Sequence, residues 1–244
     1  MDPSSERVRE LAIGLGTDLC GIAPAARFSD APTGYHPDDV LPGCRSVIVF
    51  AIDSLQSTLS AKTLIPYTIM RNDRYARLDR IALKLSYMLE LQGIPAIPIP
   101  AGEPCRVDLR HRKLRGIISL KHAAVFAGLG TMGKNTLLIN DRYGSMLWLG
   151  AVLTVAELDP DPVAGYSGCL GTCRLCLESC PVKALDGTSI DQRKCGTYAF
   201  GDEKFLFGHY GGWRIKCTTC RTVCPHCTGI PEVRSWEIPS GLSV

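Results

Sequence analysis

Apolar positions recur at helical spacing in two places and fill an unbroken β-branched run in a third. Residues 4–15 predict a helix, with Val8, Leu11, Ala12 and Leu15 on one face. Leu19–Ile22 reads as a short strand. Arg27–Gly43, rich in proline, aspartate and glycine, reads as loop. Ser46–Ile52 (SVIVFAI) predicts a strand buried on both faces. Residues 53–70 fit neither period. Over Asn72–Leu91 the residues Tyr75, Leu78, Ala82, Leu85 and Leu89 are spaced 3, 4, 3, 4, one apolar stripe of a helix. Asn72 or Asp73 is expected to cap its start, and Gly93 with Pro95 to end it. Ile94–Pro100 reads as extended and Leu120–Ala127 as a helix. Thr136–Asn140 and Ser145–Val155 predict two strands of an antiparallel hairpin, joined by Asp141-Arg142-Tyr143-Gly144. Residues 157–168 (ELDPDPVAGYSG) have the composition of a linker. The pattern therefore divides the chain near 160, with an α+β domain over residues 1–160 and a second domain over 161–244.

The second part is organised by cysteine. It reads Cys169-x3-Cys173-x2-Cys176-x3-Cys180-Pro181, then Cys195, then Cys217-x2-Cys220-x3-Cys224-Pro225. Each half ends in the bacterial ferredoxin run, in which three thiolates hold one cluster and the cysteine before proline crosses to the other. The crossing rule assigns Cys169, Cys173, Cys176 and Cys224 to one [4Fe-4S] cluster. It assigns Cys180, Cys195, Cys217 and Cys220 to the second. Disulfides would need an oxidising compartment, and zinc sites would not call for cysteine–proline ends on both halves. Cys20, Cys44, Cys105 and Cys227 remain, and read as small buried hydrophobes.

Composition narrows the setting. The 244 residues are 45% hydrophobic, enough for a real core, and the net charge of +3 points to no particular acidic partner. The start of the chain lacks a basic segment followed by an apolar run, so no export signal is expected. No apolar stretch reaches the length of a membrane span. A reducing cytoplasm, and no membrane partner, is the expectation.

Three further features bear on chemistry. Gly128-Leu129-Gly130-Thr131-Met132-Gly133 matches G-x-G-x-x-G, but the pattern before it is helical and the pattern after it is strand-like. That order is wrong for a dinucleotide site. The glycines allow close backbone approach, with Lys134 and Asn135 beside them; a plain turn is the simpler reading. Residues 71–121 hold eleven Lys/Arg against five Asp/Glu, with Arg106, Arg110, Arg112, Lys113 and Arg115 clustered. A solvated basic face outweighs a phosphate or nucleic-acid contact there. His111 and His122 lack partners at metal-ligand spacing.

The order of segments resembles the epoxyqueuosine reductase family and its relatives, corrinoid and iron–sulfur reductases that include the reductive dehalogenases. The matching pieces are LPGCRSVIVFAI (41–52), the Tyr75 helix, KHAAVFAGLGTMGKNTLLI (121–139), YGSMLWLGAVLTVAEL (143–158) and the double cysteine run with its solitary Cys195. The resemblance implies a nitroreductase-like mixed sheet with flanking helices, followed by a ferredoxin-like two-cluster domain. It implies a cobalamin held against Gly128, Gly130, Gly133, Lys134 and Asn135, reduced through the clusters by a ferredoxin or flavodoxin. The family's usual proton donor is a carboxylate that this chain lacks, so a tyrosine is the expected substitute, Tyr75 by its match to a tyrosine in the relatives' helix, or the nearby Tyr67. Two departures redirect the substrate. The carboxylate that family places shortly before the AGLG segment has no counterpart, since no acid occurs between Asp108 and Asp141. The chain also ends about twenty residues after Cys224, without the family's helical-repeat extension. The expectation is a short relative with a small-molecule substrate. The alternatives are an electron-transfer protein without corrinoid, and a tRNA epoxyqueuosine reductase using the basic cluster.

Overall fold

The computed structural model describes residues 4–108, 113–201 and 214–230. Its centre is a four-stranded antiparallel sheet of order β1-β2-β8-β3, formed by β1 (Leu19–Pro24), β2 (Ser46–Ile52), β8 (Trp148–Thr154) and β3 (Ala96–Ile99). All seven residues of β2 are buried, which explains its unbroken apolar run. Alternation then sorts the side chains. Val47, Val49 and Ala51 pack with Ala123, Ala124 and Ala127 on the face covered by α4 (Leu120–Phe126). Ile48, Phe50 and Ile52 pack with Val8 of α1 (Ser5–Gly14) and with Leu78, Ala82, Leu85 and Leu89 of α3 (Ile65–Glu90). The fold is thus mixed α+β, with helices on both faces of the sheet.

Leu78 is fully buried at the centre of the α3 contact. Leu78→Ala should lower unfolding stability by about 2–5 kcal/mol, through lost transfer energy and the cavity left behind. Denaturant melts of the cluster-loaded protein measure this.

Three expectations are corrected. The long helix starts at Ile65, not Asn72. Pro66 sits in the first turn, where its missing N–H costs nothing. The Asn72 side chain instead accepts from Arg71 at 2.8 Å, and Asp73 accepts from Arg74 at 2.7 Å, so neither caps. The expected hairpin across Asp141–Gly144 is reduced to one antiparallel bridge, Asn140 with Gly144, and its two strands do not pair. Leu138–Ile139 (β7) pairs with Thr131–Met132 (β6) in a separate ribbon, while β8 pairs with β2 and β3. Asn140 closes the bend, its Oδ1 accepting from the amides of Arg142 and Tyr143, both at 2.9 Å. A Cβ on Gly144 would lie 2.3 Å from the Cys227 and His226 carbonyl oxygens, so the chain turns there against the cysteine segment. The stretch read as loop at Arg27–Gly43 contains a short helix, α2 (Pro37–Val40), closed by a reciprocal cap between His36 and Asp39.

The linker-like segment is firmly held although it has no regular structure. Asp161 Oδ2 accepts from Ile22 N at 2.8 Å and from Arg9 at 3.0 and 3.1 Å, while Asp161 N donates to Ile22 O at 2.9 Å. Arg27 bridges the carbonyls of Phe126 and Asp161.

Arg106 and Arg115 face each other across the ribbon of β4 (Arg106–Asp108) and β5 (Lys113–Arg115). Their guanidiniums lie 4.8 and 5.6 Å from the Tyr35 ring centroid. Arg110, His111 and Arg112 lie outside the described residues, as does the Lys113 side chain. His122 shares a 2.7 Å hydrogen bond with Ser119, a local structural role.

Candidate metal and electron-transfer site

The cysteines stand on short helices and on the loops between them. Cys176 lies on α5 (Leu175–Glu178), Cys195 on α6 (Gln192–Phe200) and Cys220 on α7 (Thr219–Thr222). Asp191 caps α6, accepting from Lys194 N at 3.1 Å.

One group of thiols is gathered around a cavity. Cys169, Cys173, Cys176 and Cys224 line one cavity, with Lys134 and Asn135 on its wall. Burial pushes the Cys224 thiol up to about 11, and the neighbouring Cys227, Cys169 and Cys176 add to the rise. The other four thiols of the motif are Cys180, Cys195, Cys217 and Cys220. Burial raises the Cys195 thiol, with Cys217 and Cys180 adding to it. Burial pushes Cys220 up to about 11, with Cys195 and Cys217 among its neighbours and Cys176 the more weakly felt. The group that lines the cavity therefore draws its fourth thiol, Cys224, from the other half of the motif. No three His, Cys, Asp or Glu side chains among the described residues converge tightly enough for a single metal ion. The donor set suits iron–sulfur clusters, which thiolates hold and whose charge reverses the effect of burial by deprotonating the ligands. Ala184 N donates to Cys180 Sγ at 3.3 Å, a contact of the kind that tunes cluster potential.

Lys134 and Asn135 brace these loops. Lys134 Nζ donates to the carbonyls of Gly171 at 2.6 Å, Cys173 at 2.9 Å and Leu170 at 3.3 Å. Asn135 Nδ2 donates to Cys220 O at 3.0 Å and its Oδ1 accepts from Leu137 N at 3.2 Å. One turn thus grips both cysteine halves.

The glycines before that turn lie against the chain's own atoms. A Cβ on Gly128 would lie 2.1 Å from Pro162 O, one on Gly130 2.5 Å from Ile139 O, and one on Gly133 2.6 Å from Ile139 Cδ1. Gly128 also has φ +75°, where side chains are strained. The run follows α4 and enters β6, the helix-then-strand order that excludes a dinucleotide fingerprint.

An aromatic cluster connects α3 to the cysteine segment. Trp148 stands 5.1 Å from Tyr75, edge to face, and 6.3 Å from Tyr67. Arg71 covers the Tyr75 ring at 4.1 Å. Tyr67 is 3% exposed and burial pushes its phenol up, whereas Tyr75 is half-buried. Sequence reasoning missed Trp148 and Arg221, whose guanidinium lies 5.4 Å from the Trp148 ring centroid. Neither stands in a spacing that would single it out, and Arg221 is merely one of the variable positions between Cys220 and Cys224. Cys44 is buried and Cys20 half-buried, and burial pushes their thiols up to about 11 and about 12. No helix among the described residues is long and apolar enough to cross a membrane.

No family model matches the chain. The epoxyqueuosine reductase of Gloeobacter violaceus is 34% identical over 225 residues, covering 84% of this chain and 63% of that protein. That of Staphylococcus aureus is 28% identical over 218 residues, covering 86% and 55%. The chain thus spans less than two thirds of the length of these relatives. Among solved structures, the epoxyqueuosine reductase of Bacillus subtilis superposes with a TM-score of 0.61 at 21% identity, covering 92% of this chain and 65% of that one. A catabolic reductive dehalogenase gives 0.63 at 21% identity, covering 93% and 32%. These two likenesses establish a shared fold.

Proposed function

Because the chain is a homologue of the epoxyqueuosine reductases, we propose that it is an iron–sulfur reductase that moves electrons through two [4Fe-4S] clusters to a bound cobalamin. The observation that carries this reading is the cavity that brings Cys224 of the second half beside Cys169, Cys173 and Cys176 of the first. Cys169, Cys173, Cys176 and Cys224 would hold one cluster, and Cys180, Cys195, Cys217 and Cys220 the other. Clusters supply electrons singly, so a two-electron reduction needs a group that stores charge. When bound, cobalamin supplies that chemistry, as one related dehalogenase structure invokes for B12-dependent dehalogenation. A ferredoxin or flavodoxin is the proposed electron source.

The chain's own residues do the rest. The nitroreductase-like part, residues 1–160, would carry cofactor and substrate, and the ferredoxin-like part, residues 161–244, the clusters. Lys134 and Asn135 hold the cysteine loops in place. Contact of cobalamin with Gly128, Gly130, Gly133, Lys134 and Asn135 rests on resemblance, since those residues are already packed against protein. Tyr75 is the proposed proton donor, because it is the more accessible of the two tyrosines at Trp148.

The substrate reading turns on a missing acid. The Bacillus subtilis reductase is described with a catalytic aspartate loop, whereas no acid occurs here between Asp108 and Asp141. A different proton donor favours a different, small substrate. One observation supports the second reading, a tRNA epoxyqueuosine reductase. Arg106 and Arg115 are directly opposed across a ribbon, an arrangement that is unfavourable until an anion joins it. A relative has been solved with an epoxyqueuosine-modified tRNA stem loop.

Anaerobically purified protein tests the proposal. Iron and sulfide should correspond to two four-iron clusters, and added cobalamin should alter its own absorption spectrum on binding. Clusters without cobalamin binding would leave an electron-transfer protein. Tight, salt-sensitive tRNA binding would move the substrate to the second reading.

A further inference from the structure

Among the described residues the outward side of α5 is left uncovered. Cys176 and Leu177 of this helix are buried, while Leu175 is 47% exposed and Glu178 stands in solvent. Leu170, just before the helix, is 56% exposed. Gly171, Thr172 and Arg174 are exposed as well, and Cys173 among them is half-buried. Two large apolar side chains thus stand in water on either side of a proposed cluster ligand. Leu175 also lines the cavity of Cys169, Cys173, Cys176 and Cys224, so this face lies directly over those thiols.

Positive charge borders the leucines. Arg174 pairs with Glu178 at 3.6 Å, and both are well exposed. Lys183 donates to the Glu178 carbonyl, and Lys134 to the carbonyls of Leu170, Gly171 and Cys173. Among the described residues neither lysine has a carboxylate partner. Asp186, the next acid along the chain, is turned onto Thr188 and Ser189 of its own loop. Three cations therefore stand around one carboxylate. The face is also preset. Lys134 already fixes three carbonyls of the 170–173 loop, so little freedom is lost when a partner settles there.

Position gives the face a use. α5 packs against α7, and α7 sets Arg221 against Trp148, with Tyr75 at 5.1 Å from that ring. The proposed proton donor lies behind these helices and the leucines lie in front of them. An apolar centre, a charged rim and a fixed backbone are what a protein partner of opposite charge recognises. We propose that Leu170 and Leu175, bordered by Lys134, Arg174 and Lys183, are the docking surface for an acidic one-electron carrier, a flavodoxin or a ferredoxin. The carrier is oxidised by one electron, and the cluster of Cys169, Cys173, Cys176 and Cys224 is reduced by one. A second copy of this chain would set the same cations face to face. A nucleic acid would find no aromatic ring among these residues on which to stack. The docking surface rests on the reading that those four cysteines hold a cluster.

Stopped-flow reduction of the anaerobic, cluster-loaded chain tests it, with reduced flavodoxin and photoreduced 5-deazaflavin as the two reductants. Deazaflavin is small and needs no docking surface. Bleaching of the cluster absorption by flavodoxin should slow by about tenfold or more in Arg174→Glu/Lys183→Glu, and the wild-type rate should fall with added salt. Leu170→Ser should slow it as well, while deazaflavin should reduce every form at one rate. Oxidised flavodoxin, which delivers no electron, should bind the double variant about tenfold more weakly than the wild type. Nuclear magnetic resonance of labelled flavodoxin reads that affinity. A wild-type flavodoxin rate in either variant, or equal slowing with both reductants, would overturn the docking assignment. So would a wild-type cluster that deazaflavin reduces and neither flavodoxin nor ferredoxin does. Wild-type protein without a cluster would overturn the cluster reading instead. Should the double variant not load iron, Lys183→Gln decides by the same two rates, since it lies three residues beyond Cys180 and touches no thiol of the cavity.

Discussion

Replacing Cys180 with alanine should abolish the cluster shared by Cys195, Cys217 and Cys220 while leaving the Cys169, Cys173, Cys176 and Cys224 site loaded. Bound iron and sulfide should fall by half, and turnover should be lost because the path is cut. The expectation runs against sequence proximity, since Cys180 lies four residues from Cys176 and fifteen from Cys195. It follows from position. Cys180 acts on Cys195, while Cys224 lines the cavity of Cys169, Cys173 and Cys176. The change removes one buried sulfur, and the Ala184 amide loses its acceptor at 3.3 Å, a modest structural loss beside that of an iron ligand. Loss of the Cys169, Cys173 and Cys176 signal instead would refute the crossing.

Tyr75→Phe should leave cluster content, cobalamin content and folding unchanged while turnover falls by about 10²–10⁴, the range general-acid catalysis contributes. The ring keeps its packing. It meets Trp148 edge to face at 5.1 Å, and Gly102 leaves it room, since a Cβ there would lie 2.2 Å from Tyr75 Cε2. Only the hydroxyl is removed, so a drop in rate with unaltered spectra isolates proton delivery from assembly. Full turnover in this variant would exclude Tyr75 as the donor. The buried Tyr67, whose phenol is pushed up by its surroundings, would be the next residue to replace.

The parts of the fold legible in sequence are those where one element determines its own environment. Ser46–Ile52 is buried on both faces, so its run needed no partner to be recognised. The α3 stripe declared itself because Leu78, Ala82, Leu85 and Leu89 all meet one sheet face. What escaped depends on distant groups. Asn72 and Asp73 have the chemistry of caps, but adjacent arginines take their oxygens. The hairpin reading failed because Asn140 and Gly144 bend the chain toward Cys227, a residue about eighty positions away. In the candidate site, the cysteine spacing pointed to the set that lines the cavity, Cys169, Cys173, Cys176 and Cys224. The braces did not show, because Lys134 and Asn135 act on carbonyls, which every residue possesses and no motif records. Arg221 was hidden by a different route. A charged residue between two ligands reads as surface until its burial against Trp148 is seen.

The grip of Lys134 and Asn135 has a consequence for modularity. A recombination event or an engineered truncation that lifted out the cysteine half near residue 160 would carry the ligands but abandon their scaffold. Gly171, Cys173 and Cys220 would lose the donors that now fix their carbonyls, and the Cys227 carbonyl would lose the Ser145 amide that holds it at 2.9 Å. A swap that respects the composition boundary should therefore transplant poorly unless residues 133–145 travel with it.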